Sequence, residues 1–176
     1  MDRHPLTSRY AIVEFERRFL APTLPPDVLH PIRITDRYIS GTALRLRKME
    51  DLEGSAPPLF KLAHKVRPDA ADPTRVMSTI LYITGFEYDL LSGHPAETLH
   101  KTHYSLQIGG RFVFIDAFEG PLEGLILVEA DFGSEDEMKA FVAPDFVVRE
   151  VSYDDRFSGG RLARMSANDV RELLKP

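Results

Sequence analysis

Charged side chains recur at every second position along several stretches of this chain, with apolar side chains between them. Val13-Glu14-Phe15-Glu16-Arg17-Arg18-Phe19 sets Val13, Phe15, Arg17 and Phe19 on one face of an extended strand and Glu14, Glu16 and Arg18 on the other. The reason is that successive strand side chains point to opposite sides. The same period returns at Arg45 and Arg47, at Lys61, Ala63 and Lys65, at Lys101 and His103, and at Glu129 and Asp131. A single charged row reads as a solvated face. Charged rows on strand after strand predict a sheet rolled around a polar interior.

Turn and breaker residues set the element boundaries. A first strand is expected from about Arg9 to Leu20, stopped by Pro22, Pro25 and Pro26. A second covers Ile32–Ile39, and Ser40-Gly41 turns the chain into a third over Thr42–Lys48. An acidic loop, Glu50–Pro58, precedes a fourth strand over Leu59–Val66, and the polar Pro68–Pro73 loop precedes a fifth over Arg75–Ile83. Thr84 caps a short helix, and Leu99–Gln107, Arg111–Glu119 and Leu125–Phe132 read as strands six to eight, with Gly109-Gly110 as a hairpin turn. Ser134 with Glu137 reads as a capping box opening a helix to about Val142, and Phe146–Val151 is a late strand. Ser166 caps a final helix through Val170, Leu173 and Leu174. The expected fold is a strand-rich α+β or all-β barrel with a polar interior and a few outer helices. The helix capped by Ser134 and the C-terminal helix are the available covers for its apolar outer rows.

Composition narrows the function classes. The 176 residues suit one domain over 1–176, and 43% hydrophobic with 28% charged residues is globular. A net charge of -5 argues against a nucleic-acid-binding surface, so any basic site is local and no DNA partner is expected. Cysteine is absent, which removes disulfides, thiolate metal sites and cysteine nucleophiles. No apolar run reaches the roughly 20 residues that span a bilayer. Met1-Asp2-Arg3-His4-Pro5 lacks the apolar stretch of a signal peptide, so the expectation is cytoplasmic with no membrane partner.

The charged rows carry the candidate chemistry. Glu14 and Glu16 on one strand face have Cα atoms about 6.7 Å apart. Their repulsion is on the order of 2 to 3 kcal/mol at an effective dielectric near 20. Two readings stay open: the carboxylates of Glu14, Glu16, Glu129 and Asp131 hold a hard cation, Mg²⁺ or Mn²⁺, or they pair with Arg and Lys across the barrel. Arg18, Arg45, Arg47, Lys65, Arg75 and Lys101 come from different strands, and a closed sheet converges them on one cavity. Arginine forks match phosphate oxygens in pairs and lysines supply point charge, so the combination describes a polyphosphate site with a divalent metal. Walker, G-x-G-x-x-G, H-E-x-x-H and G-x-S-x-G patterns are all missing. His100 and His103 fall on opposite strand faces, against a two-histidine metal site.

Glu14-Phe15-Glu16-Arg17-Arg18 resembles the E-x-E-x-K signature of the CYTH, or triphosphate tunnel metalloenzyme, superfamily. Leu44-Arg45-Leu46-Arg47 is similar to its L-R-x-R strand, Leu62-Ala63-His64-Lys65 to L-T-x-K, and Lys101-Thr102-His103-Tyr104 to K-T-R-Y. Ile115–Gly120 with Gly124-Leu125, Val128–Phe132, and Arg149–Val151 with Asp155–Phe157 resemble the later motifs in order, so the likeness runs from about Tyr10 to Ala163. It implies an eight-stranded antiparallel tunnel that binds a triphosphate or polyphosphate with Mg²⁺ or Mn²⁺. Metal would fall to Glu14, Glu16, Glu129 and Asp131, with Asp116 a further candidate. Phosphate would fall to Arg18, Arg45, Arg47, Lys65, Arg75, Lys101 and His103, with Lys61 nearer the mouth, and catalysis to Glu16, Arg18 and Lys101. The chain departs from the pattern at Arg18 (Lys), His103 (Arg), Asp131 (Glu), Met77 (Glu) and Phe114 (often Glu), which thins both charge sets. The expected activity is metal-dependent triphosphate hydrolysis. A non-catalytic polyphosphate or nucleotide-binding module and an adenylate cyclase of the same family are the alternatives. A homodimer is also left open.

Overall fold

The structure is a computed structural model that describes residues 10–67, 69 and 72–175. Arg9, the leading Met1-Asp2-Arg3-His4-Pro5 segment and residues 68, 70 and 71 of the expected Pro68–Pro73 loop lie outside the described residues.

Eight strands form the wall: β1 (Ile12–Leu20), β2 (Leu29–Ile39), β3 (Leu44–Asp51), β4 (Leu59–Val66), β5 (Arg75–Ile83), β6 (Ala96–Ile108), β7 (Arg111–Phe118) and β8 (Ile126–Phe132). Their order is β5-β4-β3-β2-β6-β7-β8-β1, and β1 pairs with β5 as well, so the sheet closes on itself. Neighbouring strands are antiparallel. A ninth, two-residue strand, β9 (Arg149–Glu150), lies beside β1. The turn residues act as the sequence requires: Gly109 and Gly110 have φ of 55° and 82°, values that suit glycine in a two-residue hairpin.

Boundaries moved where pairing extends beyond local propensity. β2 starts at Leu29, β3 runs to Asp51 into the expected acidic loop, and β6 starts at Ala96, because each finds partners there. The late strand shrinks from Phe146–Val151 to Arg149–Glu150 for a geometric reason. β5 pairs with β1 over Ile12–Phe15 and Thr74 O takes the Glu16 N–H, so only the end of β1 is left for a new neighbour, and β9 pairs with Phe19 and Leu20 there.

Among the described residues there are four α-helices: α1 (Gly85–Ser92) and α2 (Glu135–Ala140) lie against the outer face, whereas α3 (Gly159–Leu162) and α4 (Ala167–Leu173), the C-terminal helix expected to cover an outer row, pack against inward-facing side chains at one end of the barrel. Thr84 and Ser166 make full capping boxes with Glu87 and Asp169. The box expected at Ser134 is half formed. Ser134 Oγ accepts from the Glu137 N–H (3.2 Å), but the Glu137 carboxylate accepts from Gly133 N–H (3.3 Å) and from Arg111 (3.0 Å) instead of turning back to Ser134.

The inverted pattern is resolved by two apolar layers. Outward-facing Phe19, Val113, Ile115, Val128 and Phe132 pack under Met138 of α2 and the segment that follows it. Tyr88 of α1 packs at a tilt against Phe60 on β4 with ring centroids 5.0 Å apart, adding a cover the sequence pattern did not single out. Inward-facing Leu20, Leu99, Phe118 and Leu127 join Phe157, Leu162, Val170 and Leu173 in a second layer, which packs one end of the barrel on the side of β1, β6, β7 and β8. Among the described residues, no helix is long and apolar enough to cross a membrane.

Candidate metal and phosphate site

The inward rows enclose a cavity of about 480 Å³. Cross-strand register explains which side chains reach it. Side chains paired across a ladder share a face, and Glu16↔Asp131, Arg18↔Glu129, Arg47↔Lys61 and His103↔Asp116 are such pairs. Glu14, Glu16, Arg18, Arg45, Arg47, Lys61, Lys65, Lys101, His103, Asp116, Glu129 and Asp131 all line it. Arg75 does not. It pairs with Phe15 on the outward row and is exposed, because the inward row of β5 is Val76, Ser78, Ile80 and Tyr82.

Three carboxylates crowd together: Glu16, Glu129 and Asp131 present oxygens that all lie within 4.8 Å of one another. Burial and the Glu129 charge raise the Glu16 pKa, although Arg18 and Arg67 both donate to its Oε1. Glu129 goes the other way: burial opposes its ionisation, but Arg18, Lys101 and Lys65 hold its carboxyl well below the usual range. Asp131, at the cavity rim, is pushed up to about 7 by desolvation and by the Glu129 and Glu16 charges. An all-oxygen cluster with repulsion still unrelieved fits a hard divalent cation. Glu14 and Asp116 stand outside this trio. Glu14 accepts from Lys65 Nζ at 2.7 Å, and Asp116 accepts from Lys101 and from His103 Nδ1 (2.7 Å).

Most cations of the cavity arrive already paired. Arg18 bridges Glu16 and Glu129, the latter at 3.3 Å from Nε. The Arg47 fork takes both oxygens of Asp36 at 2.6 Å each. Lys101 is buried and sits 5.6 Å over the Phe118 ring. Lys61 lies 5.1 Å over the exposed Tyr82 ring, toward the end of the barrel opposite the apolar layer. His103 stacks on Phe114 with centroids 5.1 Å apart, which fixes its ring plane while Asp116 fixes Nδ1.

Asp36, Arg67 and Tyr38 are among the lining residues that were not read from the sequence. Asp36 is a lone charge on a β2 row otherwise filled by Ile34 and Tyr38, so it shows no charge repeat. Arg67 did carry a signal, since Lys61, Lys65 and Arg67 keep one period past the end of β4. Tyr38 reaches Gly159 and Gly160 from another part of the chain, and local pattern has no access to such a contact.

No family model matches the chain. It is 29% identical to an inorganic triphosphatase of Nitrosomonas europaea over 157 residues, which covers 86% of this chain and 97% of that protein. A shorter likeness, 29% over 96 residues, is to an inorganic triphosphatase of Acetivibrio thermocellus and covers 49% of this chain and 60% of that protein. Among solved structures, the crystal structure of an inorganic triphosphatase superposes with a TM-score of 0.59 at 26% identity, covering 86% of this chain and 95% of that one. A conserved hypothetical protein from Pyrococcus furiosus shares the fold at a TM-score of 0.50 and 18% identity, covering 72% of this chain and 83% of that one.

Proposed function

We propose that this chain, which is similar to inorganic triphosphatases and resembles the CYTH, or triphosphate tunnel metalloenzyme, superfamily, hydrolyses a triphosphate in its barrel cavity with a divalent cation, inorganic triphosphate being the first substrate to assay. The observation that carries this reading is the Glu16–Glu129–Asp131 cluster facing Arg18, Arg45, Arg47, Lys65 and Lys101 inside one cavity. The inorganic triphosphatase activity named for its relatives supports the choice of substrate.

In this reading Glu16, Glu129 and Asp131 hold the cation, with Glu14 beside them. When bound, Mg²⁺ or Mn²⁺ supplies Lewis-acid stabilisation of charge on phosphoryl oxygens. Arg45, Arg47, Lys61, Lys65 and His103 bind phosphate oxygens. Half-buried Arg18 and buried Lys101, both oriented by carboxylates, face the charge that develops on the transferring phosphoryl group, where fixed donors act most strongly. Glu16 also orients the attacking water. Arg75 has no part in it.

The test is phosphate release from inorganic triphosphate and nucleoside triphosphates with Mg²⁺ or Mn²⁺, with cyclic AMP measured in parallel. Phosphate release that disappears in excess chelator is the expected result. Full activity in chelator overturns the reading. Cyclic AMP from ATP replaces it with the cyclase, and tight binding without turnover replaces it with a binding module.

A further inference from the structure

Asp36 is 1% exposed, the most deeply buried charged side chain of the cavity. An ion there is costly unless its partners are close and well aimed. Its partners are the two arginines of β3. Arg47 approaches side-on, Nε to Oδ1 and Nη2 to Oδ2, both at 2.6 Å. Arg45 Nε lies 3.6 Å from Oδ1, too far for a hydrogen bond, and that nitrogen is buried with no hydrogen-bond partner. Burial alone would raise the Asp36 pKa, yet the Arg47 and Arg45 charges hold it far below the usual carboxylate range. The Arg45 guanidinium also lies close enough to the Tyr38 hydroxyl for its charge to act on it.

We infer that Asp36 is a positioning residue of the phosphate site, locking the Arg47 fork and restraining Arg45 so that their remaining N–H groups stand ready for phosphate oxygens. This rests on the proposed triphosphatase reading. A side-on carboxylate uses Arg47 Nε and one Nη2 hydrogen, which leaves the Nη1 hydrogens and the second Nη2 hydrogen free to donate. Register makes the arrangement specific, since Asp36 and Arg47 are direct partners across the β2–β3 ladder. The restraint carries a cost in affinity, because Asp36 places a negative charge beside two of the groups that attract the anion. Asp36 therefore opposes binding while favouring orientation, and a purely structural buried ion pair has no such opposed signs.

The experiment compares wild type, Asp36→Asn, Arg47→Lys and the double variant, by turnover of inorganic triphosphate with Mg²⁺ and by its calorimetric affinity in EDTA. Asp36→Asn is expected to lower kcat by about tenfold or more through lost orientation. Its metal-free affinity is expected to tighten by at least about threefold through the removed charge. In the Arg47→Lys background, Asp36→Asn should lower kcat by clearly less than it does in wild type, because the fork it locks is gone and only Arg45 is left for it to restrain. Unchanged kcat, or kcat losses that multiply independently in the double variant, overturns the role. So does weaker binding together with slower turnover. If Asp36→Asn does not fold, arginine Nε–H exchange in wild type decides: a slowly exchanging Arg47 signal, before and after inorganic triphosphate is added, supports the lock, and a fast one overturns it. Wild type that neither binds nor cleaves triphosphate removes the function and the positioning role together. Wild type that cleaves it with unaffected variants removes the positioning role alone.

Discussion

Lys65 on β4 reaches across β5 to donate to Glu14 on β1 at 2.7 Å, spanning a strand whose buried Ser78 Oγ has no hydrogen-bond partner. Both side chains are 30% exposed, so the pair resembles a surface ion pair in worth. Lys65→Met should change unfolding free energy by under about 1 kcal/mol. It should raise KM for inorganic triphosphate roughly tenfold, because a charged phosphate contact is lost. Urea unfolding and steady-state kinetics on the same preparation check this, and an unchanged KM would take Lys65 out of the site.

Asp131 makes the metal-free protein sensitive to pH. Its folded pKa, about 7, lies above that of a free aspartate. Between the two values the folded state holds a proton that the unfolded state releases, so stability falls as pH rises from about 4 to 7. In chelator, Asp131→Asn should melt higher than wild type at pH 8 and alike at pH 4. Mg²⁺ or Mn²⁺ should raise the wild-type melting temperature more at pH 8 than at pH 5, because proton and cation compete for the same oxygens. Melting curves that ignore pH and cation alike would remove the cluster as a metal site. Glu129→Gln should act oppositely, melting lower, since it leaves Arg18 and Lys101 short of a buried counter-charge.

Arg75 and Arg45 form a matched pair of controls. Both are β-strand arginines named by sequence, yet Arg45 lines the cavity and Arg75 faces outward. Arg45→Ala should lower kcat/KM by about 30-fold or more. Arg75→Ala should stay within about twofold, as surface substitutions do. Equal losses would mean that β5 turns its other face inward.

Gly159 lies so close to Tyr38 that an added Cβ would sit 1.9 Å from the hydroxyl oxygen and 2.8 Å from Cζ. Gly159→Ala should cost about 1 to 3 kcal/mol through overpacking. Tyr38→Phe, which deletes the nearer atom, should recover part of that loss in the double variant. Calorimetric melting of the four proteins checks it, and additive losses would contradict the contact.

The period-two charge rows made the barrel and most of its charged lining legible, because alternation is a property of each strand taken alone. Glu16 and Glu129 were placed together by that logic, with no knowledge of the ladder that joins β1 to β8. Arg75 was misplaced because β5 carries no charge repeat, so alternation could not say which of its faces turns inward. Asp36 escaped for the opposite reason: its importance comes from Arg45 and Arg47 on the next strand, and its own neighbours in sequence are uninformative. The half-formed cap at Ser134 shows the same limit on a small scale. Arg111, distant in sequence, draws the Glu137 carboxylate away from its local partner.

β1 takes its neighbours from late in the chain: β5 at residues 75–78, β8 at 127–132 and β9 at 149–150. During synthesis β1 emerges before all three, and its edge toward β8 waits for more than a hundred further residues before it is paired. Contacts that distant in sequence make closure slow, and an unpaired strand edge is prone to pair wrongly meanwhile. Glu16 meets Glu129 and Asp131 only when β8 docks. The carboxylate cluster therefore comes into being at the same step as the ring itself, and an incompletely folded chain has no cation site to offer.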